Sequence, residues 1–177
     1  MPGDKPRVRA TAGDMVRSLI LVLVVVAVIL LLNARDERAT VVRNLDFAGS
    51  LTQARQAASY DVLGPVGLGQ QWRATSVRLP REGGGLTWHI GFVTPRGDYA
   101  GLEQSDGPPP GEFVGRFAKG SRATGDVRIA GRTWQQREGG KPEPRALVLE
   151  GKESTVVVAG SARWSELEAL AGSLAGG

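Results

Sequence analysis

His89, Glu103 and Ser105 are the residues whose types could support nucleophilic catalysis, since a serine beside an imidazole with a carboxylate behind it is the group set of a hydrolase triad. His89 is the only histidine of the 177 residues, so the base of such a triad has to be that one. Glu103 and Ser105 follow each other at even spacing along one strand, and no G-x-S-x-G turn presents the serine. The simpler reading pairs His89 with Glu103 across a hairpin as a structural hydrogen bond. No catalytic residue is therefore assigned, and the chain is expected not to be an enzyme. Glu103 and Asp106 resemble the paired carboxylates of glycosidases, but read more simply as turn and edge residues.

Other chemistries find less support. One histidine and no cysteine leave no zinc ligand set and no disulfide. Neither Gly64, Gly67 and Gly69 nor the two Gly-Lys steps at 140 and 151 have the spacing of a phosphate-binding loop. No cofactor and no metal is expected. Arg96-Gly97-Asp98 is what a tight turn needs. Two binding surfaces remain as candidates. Trp72, Trp88, Trp134 and Trp164 could line a cleft for an apolar or lipid-like ligand. Tyr99, Glu103, Gln104 and Asp106, on and around the stretch from Gly101 to Gly107, could form a contact segment.

The elements that must position these residues are legible in outline. Leu51, Ala54 and Ala58 lie at helical spacing within 50–59. Trp72 to Leu79 alternates Trp72, Ala74 and Ser76 against Arg73, Thr75 and Val77, which predicts a half-exposed strand. Leu86 to Thr94 and Asp98 to Gln104 flank Pro95-Arg96-Gly97 and read as a hairpin. A three-residue loop would pair Ile90 with Leu102, Phe92 with Ala100 and His89 with Glu103. Pro108 to Pro110 ends that ladder and leads to a short helix burying Phe113, Val114 and Phe117. Two more hairpins are expected around Ala130-Gly131 and Gly151-Lys152, and in a closing helix over 165–174 Ser165 and Glu168 match a capping box. The fold class is α+β: an antiparallel sheet with about three helices, packed on one of its faces.

Before this domain stands an unbroken apolar run of fourteen residues, Leu19 to Leu32. As a helix it is about 21 Å long against a hydrocarbon core of roughly 30 Å. Flanking residues and a slight thinning of the bilayer can make up the difference. Its exit, Leu32-Asn33-Ala34-Arg35, lacks the small-residue pattern of a signal-peptide cleavage site. The expected organisation is a cytoplasmic tail over 1–17, a transmembrane helix over 18–34, a stalk over 35–46 and an extracytoplasmic domain over 47–177. Leu19, Leu23, Val26, Ile29 and Leu32 represent the anchor. Lys5, Arg7, Arg9 and Arg17 precede the run and Arg35, Arg38 and Arg43 follow it, a small bias toward an inside N-terminus.

Charge excludes one further class. The net charge is +4, but +3 of it comes from residues 1–44, whereas residues 45–177 hold fifteen basic and fourteen acidic side chains. The surplus suits anionic lipid heads rather than nucleic acid. The partners expected are the lipid bilayer and another component of the cell envelope, with no nucleic acid.

Several segments resemble an actinobacterial membrane-protein family, domain of unknown function 4245: the apolar run, Tyr60 to Trp72, Trp88 to Asp106, Ile129 to Trp134 and Trp164 to Leu174. The resemblance implies a single-pass membrane protein with an exported domain. It implies no activity and transfers no functional residue.

Overall fold

Apolar Trp88, Ile90 and Phe92 alternating with Thr87, His89 and Gly91 make a strand with two unlike faces, and the sheet of this protein grows outward from it. The computed structural model describes residues 19–20, 22–23 and 46–177. The chain divides into residues 1–41 and 42–177, and the fold lies in the second unit. Leu19, Ile20, Val22 and Leu23 are helical and exposed. Val26, Ile29 and Leu32, with the rest of the expected anchor, the tail and all of the stalk except Asp46, lie outside the described residues. Among the described residues no helix is long and apolar enough to cross a membrane.

In chain order the elements are α1 (Ala48–Ala57), β1 (Gly64–Pro65), β2 (Arg73–Arg78), β3 (Arg81–Glu82), β4 (Gly85–Val93), β5 (Tyr99–Ser105), α2 (Pro110–Phe117), β6 (Ala118–Lys119), β7 (Arg122–Ile129), β8 (Arg132–Glu138), β9 (Lys141–Pro142), β10 (Arg145–Glu150), β11 (Thr155–Gly160), α3 (Trp164–Ser173) and β12 (Leu174–Ala175). The main sheet runs β2-β4-β5-β11-β10-β8-β7, with β3 paired to β4. Every pairing is antiparallel. The expected register of the β4–β5 hairpin holds: Ile90 faces Leu102, Phe92 faces Ala100 and His89 faces Glu103. The hairpins β7–β8 and β10–β11 turn at the expected places.

Both faces of the sheet are covered, a correction to the expected single layer of helices. On the first face Trp88, Ile90, Phe92, Leu102, Trp134, Leu147, Val156 and Val158 pack with α1 and α3 in one buried cluster. On the second, Phe113 and Val114 of α2 pack against Ala146, Val148, Val157 and Ala159. The near-continuous apolar run of β11, Thr155 to Gly160, is buried throughout because it lies under helices on both sides. Pro110 opens α2, where the missing N–H breaks no intrahelical bond. The expected capping box does not form. The helix α3 begins at Trp164 with Arg163 as its N-cap, so Ser165 stands inside the first turn and makes no capping bond. Glu168 instead accepts a hydrogen bond from Gln136 Nε2 at 3.3 Å.

α2 lies over β10 and β11, and its end, at Arg116 and Phe117, borders the β2, β4 and β5 part of the second face across a cleft. His89 and Glu103 belong to that part.

Candidate functional site

The site begins with an irregularity in β2. Ala74 pairs with Phe92, but the next pair is Ser76 with Gly91, so Thr75 is one residue too many. Such a bulge reverses the alternation beyond it. Ala74 belongs to the apolar core, and so does Val77 three residues later, whereas Ser76 and Arg78 emerge on the side of His89. A regular strand would have put Ser76 on the same face as Ala74, as its sequence alternation suggests.

Three polar groups meet at His89. Ser76 Oγ lies 2.8 Å from Nε2, Arg78 Nη2 lies 3.2 Å from the same nitrogen, and Glu103 Oε1 bonds Nδ1. Their roles follow from Arg78. Its guanidinium is a permanent donor with nothing to accept, so Nε2 must offer its lone pair. The ring proton therefore sits on Nδ1 and is donated to Glu103. This is the tautomer in which a histidine can take a proton from a hydroxyl. His89 is 4 % exposed and Glu103 is 7 % exposed, while Ser76 is half-buried.

Small residues make room for the cluster. A β-carbon at Gly91 would come within 2.5 Å of Ser76 Oγ, and one at Gly101 within 2.6 Å of the Tyr99 hydroxyl. Gly91 and Gly101 are cross-strand partners, so Tyr99 lies over a patch of bare backbone next to Ser76. Burial, then the charges of Glu103 and Glu143, push the Tyr99 phenol up to about 12, with Arg78 opposing. Glu143 itself is shifted upward by burial. Beside the cluster opens a cleft of about 530 Å³. Thr87, His89 and Glu103 contribute to it from the sheet, Arg78, Leu79 and Pro80 from the end of β2, and Arg116 and Phe117 from the end of α2. Arg116 also bonds Glu112 one turn away at 2.9 Å. Among the described residues no group of three or more acidic, histidine or cysteine side chains could hold a metal ion.

Ser105 is not the serine of this cluster. Its Oγ accepts from Thr87 Oγ1 at 3.0 Å and from the Gly107 amide at 3.3 Å, two cross-strand pairs along from His89 and Glu103 and so the next pair on the same face. The contact segment of Tyr99, Glu103, Gln104 and Asp106 is largely closed, because β5 is an interior strand buried from Ala100 to Ser105. Gln104 is on the tryptophan side, where Oε1 accepts from the Leu63 amide at 2.9 Å and Nε2 donates to Asp61 O at 2.9 Å and Ser154 Oγ at 3.0 Å. Asp106 accepts from the Leu86 amide at 3.1 Å and bonds Ser59.

The four tryptophans do not converge either. Trp88 and Trp134 are wholly buried in the core, and Trp88 Nε1 donates to Leu63 O at 3.1 Å. Trp164 is half-buried and donates to Glu138 Oε1 at 3.0 Å. Trp72 borders an open cleft, about 580 Å³ in volume, with Phe47, Leu68 and Phe92. It meets Phe92 edge to face, with ring centres 6.0 Å apart.

Sequence alternation thus found His89 and Glu103 and missed Ser76 and Arg78. The signal available was the odd spacing of Ala74 and Val77, the apolar residues of β2, which no unbroken strand can bury on one face. No curated protein and no solved structure matches the chain. A family of unknown function does match, over residues 7–174. With nearly its whole length so covered, the chain belongs to the family described as protein of unknown function (DUF4245).

Proposed function

We propose that this protein is held in the cell membrane by residues 18–34 and displays residues 47–177 outside the cytoplasm, where it contacts another envelope component. The apolar run from Leu19 to Leu32, flanked by Arg17 and Arg35, carries this reading. The closure of the Gly101 to Gly107 segment moves the contact surface to the cleft between the end of β2 and the end of α2, where Arg78 and Arg116 stand. Fusion of a phosphatase active only outside the cytoplasm to Gly177 tests the arrangement. An active fusion that stays with membranes after an alkaline wash is the expected result. A stable but inactive fusion, or release by the wash, refutes it.

A second reading, binding of an apolar or lipid-like ligand, is favoured by the cleft at Phe47, Leu68, Trp72 and Phe92. It predicts saturable quenching of tryptophan fluorescence by a brominated fatty acid, reduced when Trp72 is replaced.

A further inference from the structure

The geometry points to Ser76 as an activated nucleophile for acyl esters, with His89 as its base and Glu103 as the group that orients His89. This goes beyond the proposed anchoring and contact, and rests only on residues of the folded domain. Three observations converge on it. The Ser76 hydroxyl is within hydrogen-bond reach of Nε2, 2.8 Å away. The lone pair on Nε2 is settled independently by the guanidinium of Arg78 at 3.2 Å. The carboxylate behind the ring is buried and bonded to Nδ1. The bulge at Thr75 is the structural device that aims the serine here, and Gly91 is the residue whose missing side chain lets it stay.

In the reaction, Ser76 Oγ attacks the carbonyl carbon of an ester while its proton passes to His89 Nε2, whose one lone pair is freed as the Arg78 N–H turns from it toward the carbonyl oxygen. The carbonyl oxygen takes up the negative charge, and Arg78 supplies the nearby positive group to meet it. Collapse breaks the bond to the alkoxy oxygen, which leaves as an alcohol with the proton from Nε2, and the acyl group stays on Ser76. Water then attacks the acyl carbon, giving its proton to the same nitrogen. The carboxylic acid departs and the free serine, reprotonated from Nε2, returns. Leu79, Pro80 and Phe117, bordering the cleft that His89 and Glu103 reach, suit an apolar acyl group.

The test uses the full chain in detergent micelles and a fluorophosphonate probe, which forms a stable bond only with activated serines. Labelling is expected at Ser76, located by peptide mass spectrometry, and lost by about 100-fold or more in Ser76→Ala and His89→Gln. Ser105→Ala should label like the unaltered chain. Because the chain has no cysteine, Ser76→Cys gives a second measurement: alkylation of the new thiol by iodoacetamide should slow at least about tenfold when His89→Gln is added. Melting curves on the same samples confirm that each variant is folded. Labelling no greater than that of heat-unfolded protein, labelling at another serine, or thiol alkylation indifferent to His89 in folded protein would each overturn the assignment.

Discussion

Replacing Gln104 by leucine separates a structural residue from a surface one. Gln104 is 1 % exposed, and its amide bonds three groups on two other segments of the chain: the Leu63 amide and the Asp61 carbonyl on one, the Ser154 hydroxyl on the other. Leucine fills a similar volume but can bond none of them. The three losses are unequal. Leu63 is 6 % exposed, so its orphaned N–H meets little water, and such a group costs about 1–3 kcal/mol. Asp61 is exposed and Ser154 half-exposed, so their groups can turn to solvent, and each loss is small. Leucine also escapes the desolvation of a buried amide, which offsets part of the sum. A net loss of about 2 kcal/mol follows, which for a domain of this size lowers Tm by about 6–10 °C. Thermal unfolding followed by circular dichroism measures it, with Ser154→Ala as a control expected to lose less than about 1 kcal/mol. A Gln104→Leu variant that melts within about 2 °C of the parent would refute the reasoning, because an orphaned N–H at Leu63 would then have to be stabilised by something the fold does not show.

Two further outcomes can be measured directly. The chain has only two tyrosines, Tyr60 and Tyr99, and both are pushed upward, chiefly by burial, Tyr99 to about 12 and Tyr60 further. A raised phenol stabilises the folded state fully below about pH 10, the ordinary value, and that contribution is lost as pH climbs through the folded values. Absorbance near 295 nm should therefore show no normal tyrosine titration in the native protein, and its rise should coincide with alkaline unfolding; a reversible step near pH 10 in folded protein would contradict this. Gly101→Ala should destabilise by about 1–3 kcal/mol, since the new methyl would stand 2.6 Å from the Tyr99 hydroxyl. Adding Tyr99→Ala should recover part of the loss, and strict additivity in that double-mutant cycle would show that the two residues do not touch.

The β4–β5 hairpin is readable because a turn of Pro95, Arg96 and Gly97 separates two alternating stretches, and a three-residue loop there sets the register observed, where a loop of two or four would slip it by one. The cover of both sheet faces was less visible. The stripe of Phe113, Val114 and Phe117 says that α2 buries one side, but an amphipathic helix carries no label for the face it will meet. The unbroken run Val156, Val157 and Val158 held that information, since a strand buried on both faces has no need to alternate. Ser76 was lost for a different reason. One inserted residue inverts every position after it, so alternation counted from Trp72 gives the wrong side for the residues that reach His89. The pairing of β1 with β12 joins Pro65 to Leu174, too short and too distant for any local pattern to announce.

The order of the strands also bears on how the chain is made. β4 and β5 pair across a short turn, as do β7 with β8 and β10 with β11, so each of these units can assemble from neighbouring residues. The join between β5 and β11 is different in kind, for it brings Ser105 to Thr155 and Ala100 to Gly160. Until residues 155–160 have been synthesised, the amide and carbonyl groups along one edge of β5 have no partner. A chain emerging from the ribosome must carry that open edge through the synthesis of α2 and the next three hairpin strands. An edge of this kind invites pairing with other chains. The middle of the finished sheet is thus its last seam to close, and a strand that lies in the interior of the folded protein is an exposed edge of the unfinished chain.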